Sequence, residues 1–389
     1  MKLTDVALAA ALLLVLGWPA AATVREAWRG SGSAPGGGLI DPFPGAGGGA
    51  AALIRPLGLA AETAGLVFLT ELLALPAGVA LALALFRTDL GGRRGLIGLL
   101  ALAALVPMPL HAIAWIGGFG NLGRSQALGS GPVLVGLPGA AVVHALAALP
   151  WVVLLAGVGL RAVEPELEEA ALLDLPAWRV VIRVTLRRSV GGIAGAALAV
   201  AVLTAGDMTV TDLLVVRTYA EEAYVQYQLG NGPGAAAAVA LPPLAVLGGL
   251  VFLAAWGLLR TDPARLPSAD AGVRLWGLGR WRVPLGLVAW ATVGNAVAVP
   301  IYAMTWRAGR VAAAPGRPPR WSPRKLAETL GGTGEPRPGA TPPRGAAGTS
   351  GGVGAEVAGP LGETTLWAAL GASAAVALAW PLAWKARGP

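Results

Sequence analysis

Residues 134–160 read LVGLPGAAVVHALAALPWVVLLAGVGL, and residues 161–188 read RAVEPELEEAALLDLPAWRVVIRVTLRR. The first stretch is an apolar run interrupted only by His144, long enough to cross the roughly 30 Å of a bilayer's hydrocarbon. The second gathers glutamates and arginines around a proline break. Apolar run followed by charged loop is the pattern of the whole chain. It predicts an all-α, polytopic membrane bundle rather than two soluble domains.

Composition agrees. The 389 residues are 55% hydrophobic and 13% charged, with a mean hydropathy of +0.66. Alternating ten-residue segments are absent, which excludes a transmembrane β-barrel. With no cysteine there are no disulfides, iron–sulfur clusters or cysteine zinc sites, and two histidines leave little for a metal enzyme. The net charge of +8 reports topology here, not nucleic-acid binding. The sequence has no Walker A motif, paired-carboxylate motif or nucleophile elbow. We therefore expect no catalytic residue, metal ligand or cofactor in this chain, and no ATP hydrolysis by it.

Eight spans are expected, at about 5–24, 62–86, 95–117, 134–160, 189–216, 234–259, 283–306 and 363–384. The first is read as an uncleaved span, although Ala20, Ala21 and Ala22 would also suit a signal-peptide cleavage site. The loops at 87–94, 161–188 and 260–282 are rich in arginine. The short loops of opposite parity hold only Arg124 and Arg217. By the positive-inside rule the arginine-rich loops, the N-terminus and the C-terminus are cytoplasmic. The basic loop at 307–362, rich in proline and glycine, reads as disordered and external. Pro76, Pro107, Pro109, Pro150, Pro242 and Pro243 are expected to kink their spans.

An internal repeat is also read. Glu62-Thr63, an Ala/Leu helix and Phe86-Arg87 recur as Glu363-Thr364, a similar helix and Lys385-Ala386-Arg387. Each copy follows a span containing or ending near a proline, Pro19 and Pro300. Any two Ala/Leu helices share some of this likeness, but the matching punctuation favours a repeat.

In the loop 164–188, Pro165 suits a first helical turn, and Glu166, Glu168 and Glu169 suit the positive end of a helix dipole. Leu167, Ala170 and Ala171 share one face. Pro176 breaks the helix and pushes Leu175 out of the α region, and a basic arm runs from Trp178 to Arg188. The result is a helix–break–helix element. An ordinary interfacial loop with solvated charges is the plainer reading of the same residues.

Glu168-Glu169-Ala170-Ala171-x-x-Asp174, with Trp178-Arg179 and Val184-Thr185-Leu186, resembles the cytoplasmic coupling loop of ABC-importer permeases of the binding-protein-dependent type. His144 to Trp151 resembles that family's fourth core span. Gly206-Asp207-Met208-Thr209-Val210-Thr211-Asp212-Leu213-Leu214 resembles the fifth span of its ferric-iron and thiamine branch, in which two halves are commonly fused. The resemblance covers about 57–260, and 281–306 with 363–389 more weakly. Leu175-Pro176 stands where the family has glycine after the loop aspartate, one residue is missing before the tryptophan, and Leu186-Arg187 replaces a Leu-Pro.

The resemblance implies a type I importer permease core in the inner (plasma) membrane. It implies an ABC ATPase subunit carrying the ATP, an extracytoplasmic solute-binding protein, and a second permease chain or homodimer, all within membrane lipid. The solute would be ferric iron, with thiamine next. The ATPase-coupling loop would use Glu168, Glu169, Ala170, Ala171, Asp174, Leu175, Pro176, Trp178 and Arg179. The expected organisation is an N-terminal helix and external loop (1–56), a permease core (57–260) with its coupling loop at 161–188, a cytoplasmic linker (261–282), and an incomplete second repeat (283–389). Two other classes fit the sequence: an integral-membrane enzyme or assembly factor without transport, and a truncated, inactive permease remnant.

Ionisable residues within spans are expensive in hydrocarbon and mark function by default. Glu71, Asp207, Thr209 and Asp212 are the candidates for a translocation path, while His111 and His144 read as packing residues. Reporter fusions at Gly92, Asp262 and Gly388 are expected to report the cytoplasm, and a fusion at Gly339 the exterior. A cytoplasmic signal from Gly339 would overturn the placement of the last two spans.

Overall fold

The computed structural model describes residues 18–30, 50–120, 131–229, 232–259, 274–311 and 320–330. Of these, residues 23–303 form one compact unit, and residues 18–22 with 304–311 and 320–330 belong to another.

The larger unit is helical. After α1 (Trp18–Gly30), whose first turn belongs to the other unit, come α2 (Ala50–Arg87), α3 (Arg93–Ala104), α4 (Met108–Phe119) and α5 (Gly136–Arg161). The segment after α5 holds α6 (Pro165–Leu172), α7 (Ala177–Val180), a π-helical turn (Val181–Thr185) and α8 (Leu186–Arg188). Then follow α9 (Val190–Ala205), α10 (Thr209–Leu213), α11 (Tyr219–Gln228), α12 (Gly232–Leu259) and α13 (Arg282–Ala308). Among the described residues, four helices are long and apolar enough to cross a membrane, or six spans if two bent pairs count as one each. The chain is an all-helical membrane protein in its main part.

The core is α2 lying along α5, with α9 across both. Gly65 meets Leu137, Gly78 meets Val152, and Gly157 meets Phe86. Both sets of numbers rise together, so α2 and α5 run in the same direction. Lipid tails are as apolar as leucine, so such helices hold together by close packing of small residues. Ala74, Ala145, Ala148 and Ala196 do this with Val152 and Val200 where α2, α5 and α9 meet. Gly159 of α5 and Gly192 of α9 bring the two backbones together with no room for a Cβ on either. At the far end of α2, α11 is tied down by polar bonds. Arg55 pairs with the buried Glu222 at 2.5 Å, Gln226 donates to Glu222 at 2.7 Å, and the Tyr219 amide donates to Thr63 at 3.1 Å.

Two expected spans are not single helices. The run 95–117 forms α3 and α4, bent by 100°. Pro107 caps α4 in an extended conformation (φ −70°, ψ 149°), because proline supplies no N–H and disfavours helix in the residue before it. The run 189–216 ends as a helix at Ala205, and Asp207 and Met208 lie between α9 and α10. There the Asp207 carboxylate accepts the Val210 amide at 2.9 Å, satisfying a donor of the next helical turn. Pro76, Pro150, Pro242 and Pro243, by contrast, lie inside helices that continue through them. α2 also begins well before the expected 62, and it passes through the 56/57 boundary.

The second unit includes residues 307–311 and 320–330 of the loop 307–362, the rest of which lies outside the described residues. β1 (Arg310–Val311) pairs antiparallel with β2 (Arg320–Trp321), α14 (Pro323–Leu330) follows, and Trp306 stacks on Trp321 with ring centroids 6.5 Å apart. The body of the first expected span (5–17), the last span and the second copy of the repeat lie outside the described residues.

A Cβ at Gly192 would sit 2.7 Å from Gly159 Cα, whereas one at Gly195 would meet nothing within 4 Å. Gly192→Ala is expected to cost about 1–3 kcal/mol by overpacking. Gly195→Ala should be neutral or slightly stabilising, since alanine is the better helix former. Unfolding of the full chain in mixed detergent micelles measures both.

Candidate functional site: a loop pinned by a buried ion pair

Glu164 precedes α6 in an extended conformation, and Pro165 opens the helix at the first position, where its missing N–H costs nothing. The helix stops at Leu172, and Pro176 (φ −66°, ψ 150°) caps the second arm. The helix–break–helix pattern is therefore present, with both prolines in their expected roles. The second arm holds a feature the sequence does not announce. The π-turn inserts one residue, so its buried positions Val180 and Thr185 are five apart.

That shift brings Thr185 to Glu168. The Thr185 hydroxyl donates to one Glu168 oxygen at 2.5 Å, and the other oxygen pairs with the Arg87 guanidinium. Arg87 also donates to the Leu160 carbonyl at 3.1 Å. Arg87, Glu168 and Thr185 are completely buried. Arg87 is the last residue of α2, where a cation complements the helix dipole. Leu160 lies in the last turn of α5. One network thus joins the ends of two membrane helices to both arms of the loop.

A short segment, 274–278, crosses the same end of the bundle. The Trp276 amide donates to the Arg87 carbonyl at 2.7 Å, the Asp89 amide to the Trp276 carbonyl at 3.2 Å, and the Leu278 amide to the Asp89 carboxylate at 2.9 Å. Arg274 lies over the Trp276 ring and pairs with Glu169 at 3.1 Å.

The predicted loop residues therefore divide. Glu168 faces inward and is unavailable to any partner. Glu169 is exposed but engaged by Arg274. Ala170, Asp174, Pro176, Trp178 and Arg179 are exposed, and Ala171 and Leu175 are half-buried. Leu173, at 86% exposure, and Trp178, at 60%, make the loop's outer surface apolar.

The predicted path residues are not brought together in the same way. Glu71 is half-buried in α2, with no hydrogen bond or ion pair among the described residues. Thr209 is half-buried and Asp212 is exposed, both on α10. Asp207 instead has a neighbour the sequence does not announce: His144 Nε2 lies 3.6 Å from its carboxylate, beyond hydrogen-bond distance. Arg87 was also passed over, having been read as a topology charge. Its position directly after the apolar run of α2, facing a glutamate-rich loop, was the signal that could have marked it.

No family model and no curated protein matches this chain. What fold and site define is a class: a helical membrane protein whose charged loop is fixed to its membrane helices by a buried ion pair.

Removing one partner of a buried pair strands the other charge, at a cost of about 3–5 kcal/mol, whereas apolar replacement of both is often neutral. Glu168→Ala is expected to lose about that much unfolding free energy in bicelles. Glu168→Leu combined with Arg87→Met should recover most of it. A neutral Glu168→Ala would remove the pair from its structural role.

Proposed function

We propose that this chain is a transmembrane permease subunit of an ABC importer, moving a solute into the cytoplasm with energy from a separate ATPase subunit. The observation that carries this reading is the loop 165–188. It has a helix–break–helix shape, an exposed apolar surface at Leu167 and Leu173, and a rigid tie through Glu168 to the ends of α2 and α5. A surface meant to pass a push from a soluble motor into membrane helices needs those three properties. The same reading makes the arginine-rich loops cytoplasmic and the membrane the inner membrane. It gives the chain eight spans with both termini inside, in the type I permease arrangement.

The partners in this reading are an ABC ATPase carrying the ATP, an extracytoplasmic solute-binding protein, and a second permease chain or a second copy. Ferric iron is the first solute to test and thiamine the next. Alternating access would be a shift between two states, each favoured by its own ligand set. Asp207, Thr209, Asp212 and Glu71 are the residues proposed to line the path.

Glu169→Lys is the decisive variant. It replaces the carboxylate that Arg274 engages with a second cation on the docking surface, and it leaves the buried network intact. Reconstituted with the ATPase, this variant is expected to lose solute-stimulated ATP hydrolysis roughly tenfold or more, with unchanged membrane insertion. Normal coupling would count strongly against the loop's role.

A further inference from the structure

The second arm of the loop has a basic outer face of its own, apart from the Leu167 and Leu173 surface on which the permease reading rests. Arg179, Arg183 and Arg187 recur at four-residue intervals along residues 177–188, and all three are exposed. Trp178 and Ile182 are exposed beside them, at 60% and 55%. Arg183 and Arg187 have no hydrogen bond or ion pair among the described residues, and Arg179 rests on the Trp178 ring, 5.0 Å from its centroid. The opposite side of the arm, with Val180, Thr185 and Ser189, is buried against the protein.

Three observations say what covers this face. First, the arm is bent by 63° from α9. An α9 aligned with the membrane normal therefore lays the arm nearer to the membrane plane than to the normal. Second, the exposed residues turn purely apolar as the chain enters α9, at Val190, Gly191, Ala194 and Gly195. A change from arginine and tryptophan to aliphatic residues marks a headgroup boundary, where Trp rings sit and arginines reach phosphates. Third, the loop's charges are segregated. Glu164, Glu166, Glu169 and Asp174 all lie in or beside the first arm, and four exposed arginines lie on the second: Arg179, Arg183, Arg187, and Arg188, which pairs with Glu164 at 3.7 Å. An anionic surface attracts the second arm and repels the first, leaving the first arm in water.

We propose that the outer face of residues 177–188 binds anionic phospholipid: Arg179, Arg183 and Arg187 hold headgroup phosphates, and Trp178 and Ile182 insert at headgroup depth. Guanidinium forks suit phosphate oxygens, and cationic residues beside a membrane surface add their attraction one by one. The inference does not depend on the permease reading, since it concerns lipid rather than a motor subunit.

The chain has no cysteine, so Ile182→Cys offers a single thiol for a nitroxide. The full chain is placed in nanodiscs of phosphatidylcholine alone or with phosphatidylglycerol. In the anionic discs the label is expected to be more accessible to lipid-soluble oxygen than to a water-soluble nickel chelate. The triple variant R179Q/R183Q/R187Q should move it into water. In native mass spectrometry of the unlabelled chain, this variant should bind phosphatidylglycerol about tenfold more weakly or worse, and R179K/R183K/R187K should restore most of the binding. A label exposed to water in anionic discs would overturn the proposal, as would a glutamine variant that keeps its phosphatidylglycerol. A label shielded only when polyglutamate is added would also overturn it, pointing to an acidic protein partner instead.

Discussion

The buried pair between Arg87 and Glu168 constrains everything at the arginine-rich end of the bundle. Taking two charges out of water costs several kcal/mol per ion, and the attraction offsets this only when other bonds complete the network. Here Thr185 and the Leu160 carbonyl supply such bonds, although Arg87 Nε is buried without a partner among the described residues. Each comes from a different element, so the network forms only when α2, α5, α6 and the π-turn are all in place. The Trp276 amide then takes the Arg87 carbonyl, one of those left open at the end of α2. A loop held in this way cannot swing as an independent hairpin. Displacing it moves the ends of the membrane helices as well.

The other half of the architecture rests on interrupted helices. A polar backbone at membrane depth is tolerated only where protein or a water-filled cavity covers it. The breaks at 105–107 and 206–208 meet this condition together, because α4 packs on α10 and both pack on α5. The cluster of Leu66, Trp115, Val143, Val210 and Leu214 fills the space between them. His144 faces Asp207 beside the second break. Irregular backbone meets the His144 and Asp207 side chains at one place in the bundle, while α2, α5 and α9 meet through alanine and valine.

Much of this was legible in order along the chain. Apolar length alone marks α2, α5, α12 and α13, because hydrocarbon thickness sets a minimum length that few other structures need. The loop's two arms were legible because Pro165 and Pro176 act locally, through a missing N–H and a fixed φ. At Pro76, Pro150, Pro242 and Pro243 the helix runs on past the proline. A proline inside a membrane helix can be accommodated by its neighbours, so its local cost does not decide the outcome. Pro107 did break its helix, with Pro109 close behind.

The sequence by itself determined that this is an all-helical membrane protein with a charged helix–break–helix loop. Those properties depend on composition, run length and proline position, which are local. Only the tertiary structure decided which glutamate of the Glu168-Glu169 pair points inward. One residue of helical rotation separates a buried strut from an exposed side chain, and that rotation is fixed by Arg87, eighty-one residues earlier in the chain. The π-turn that delivers Thr185, and the approach of Asp207 to His144, are likewise agreements between distant segments. No periodicity records them, because each exists only once the helices have packed.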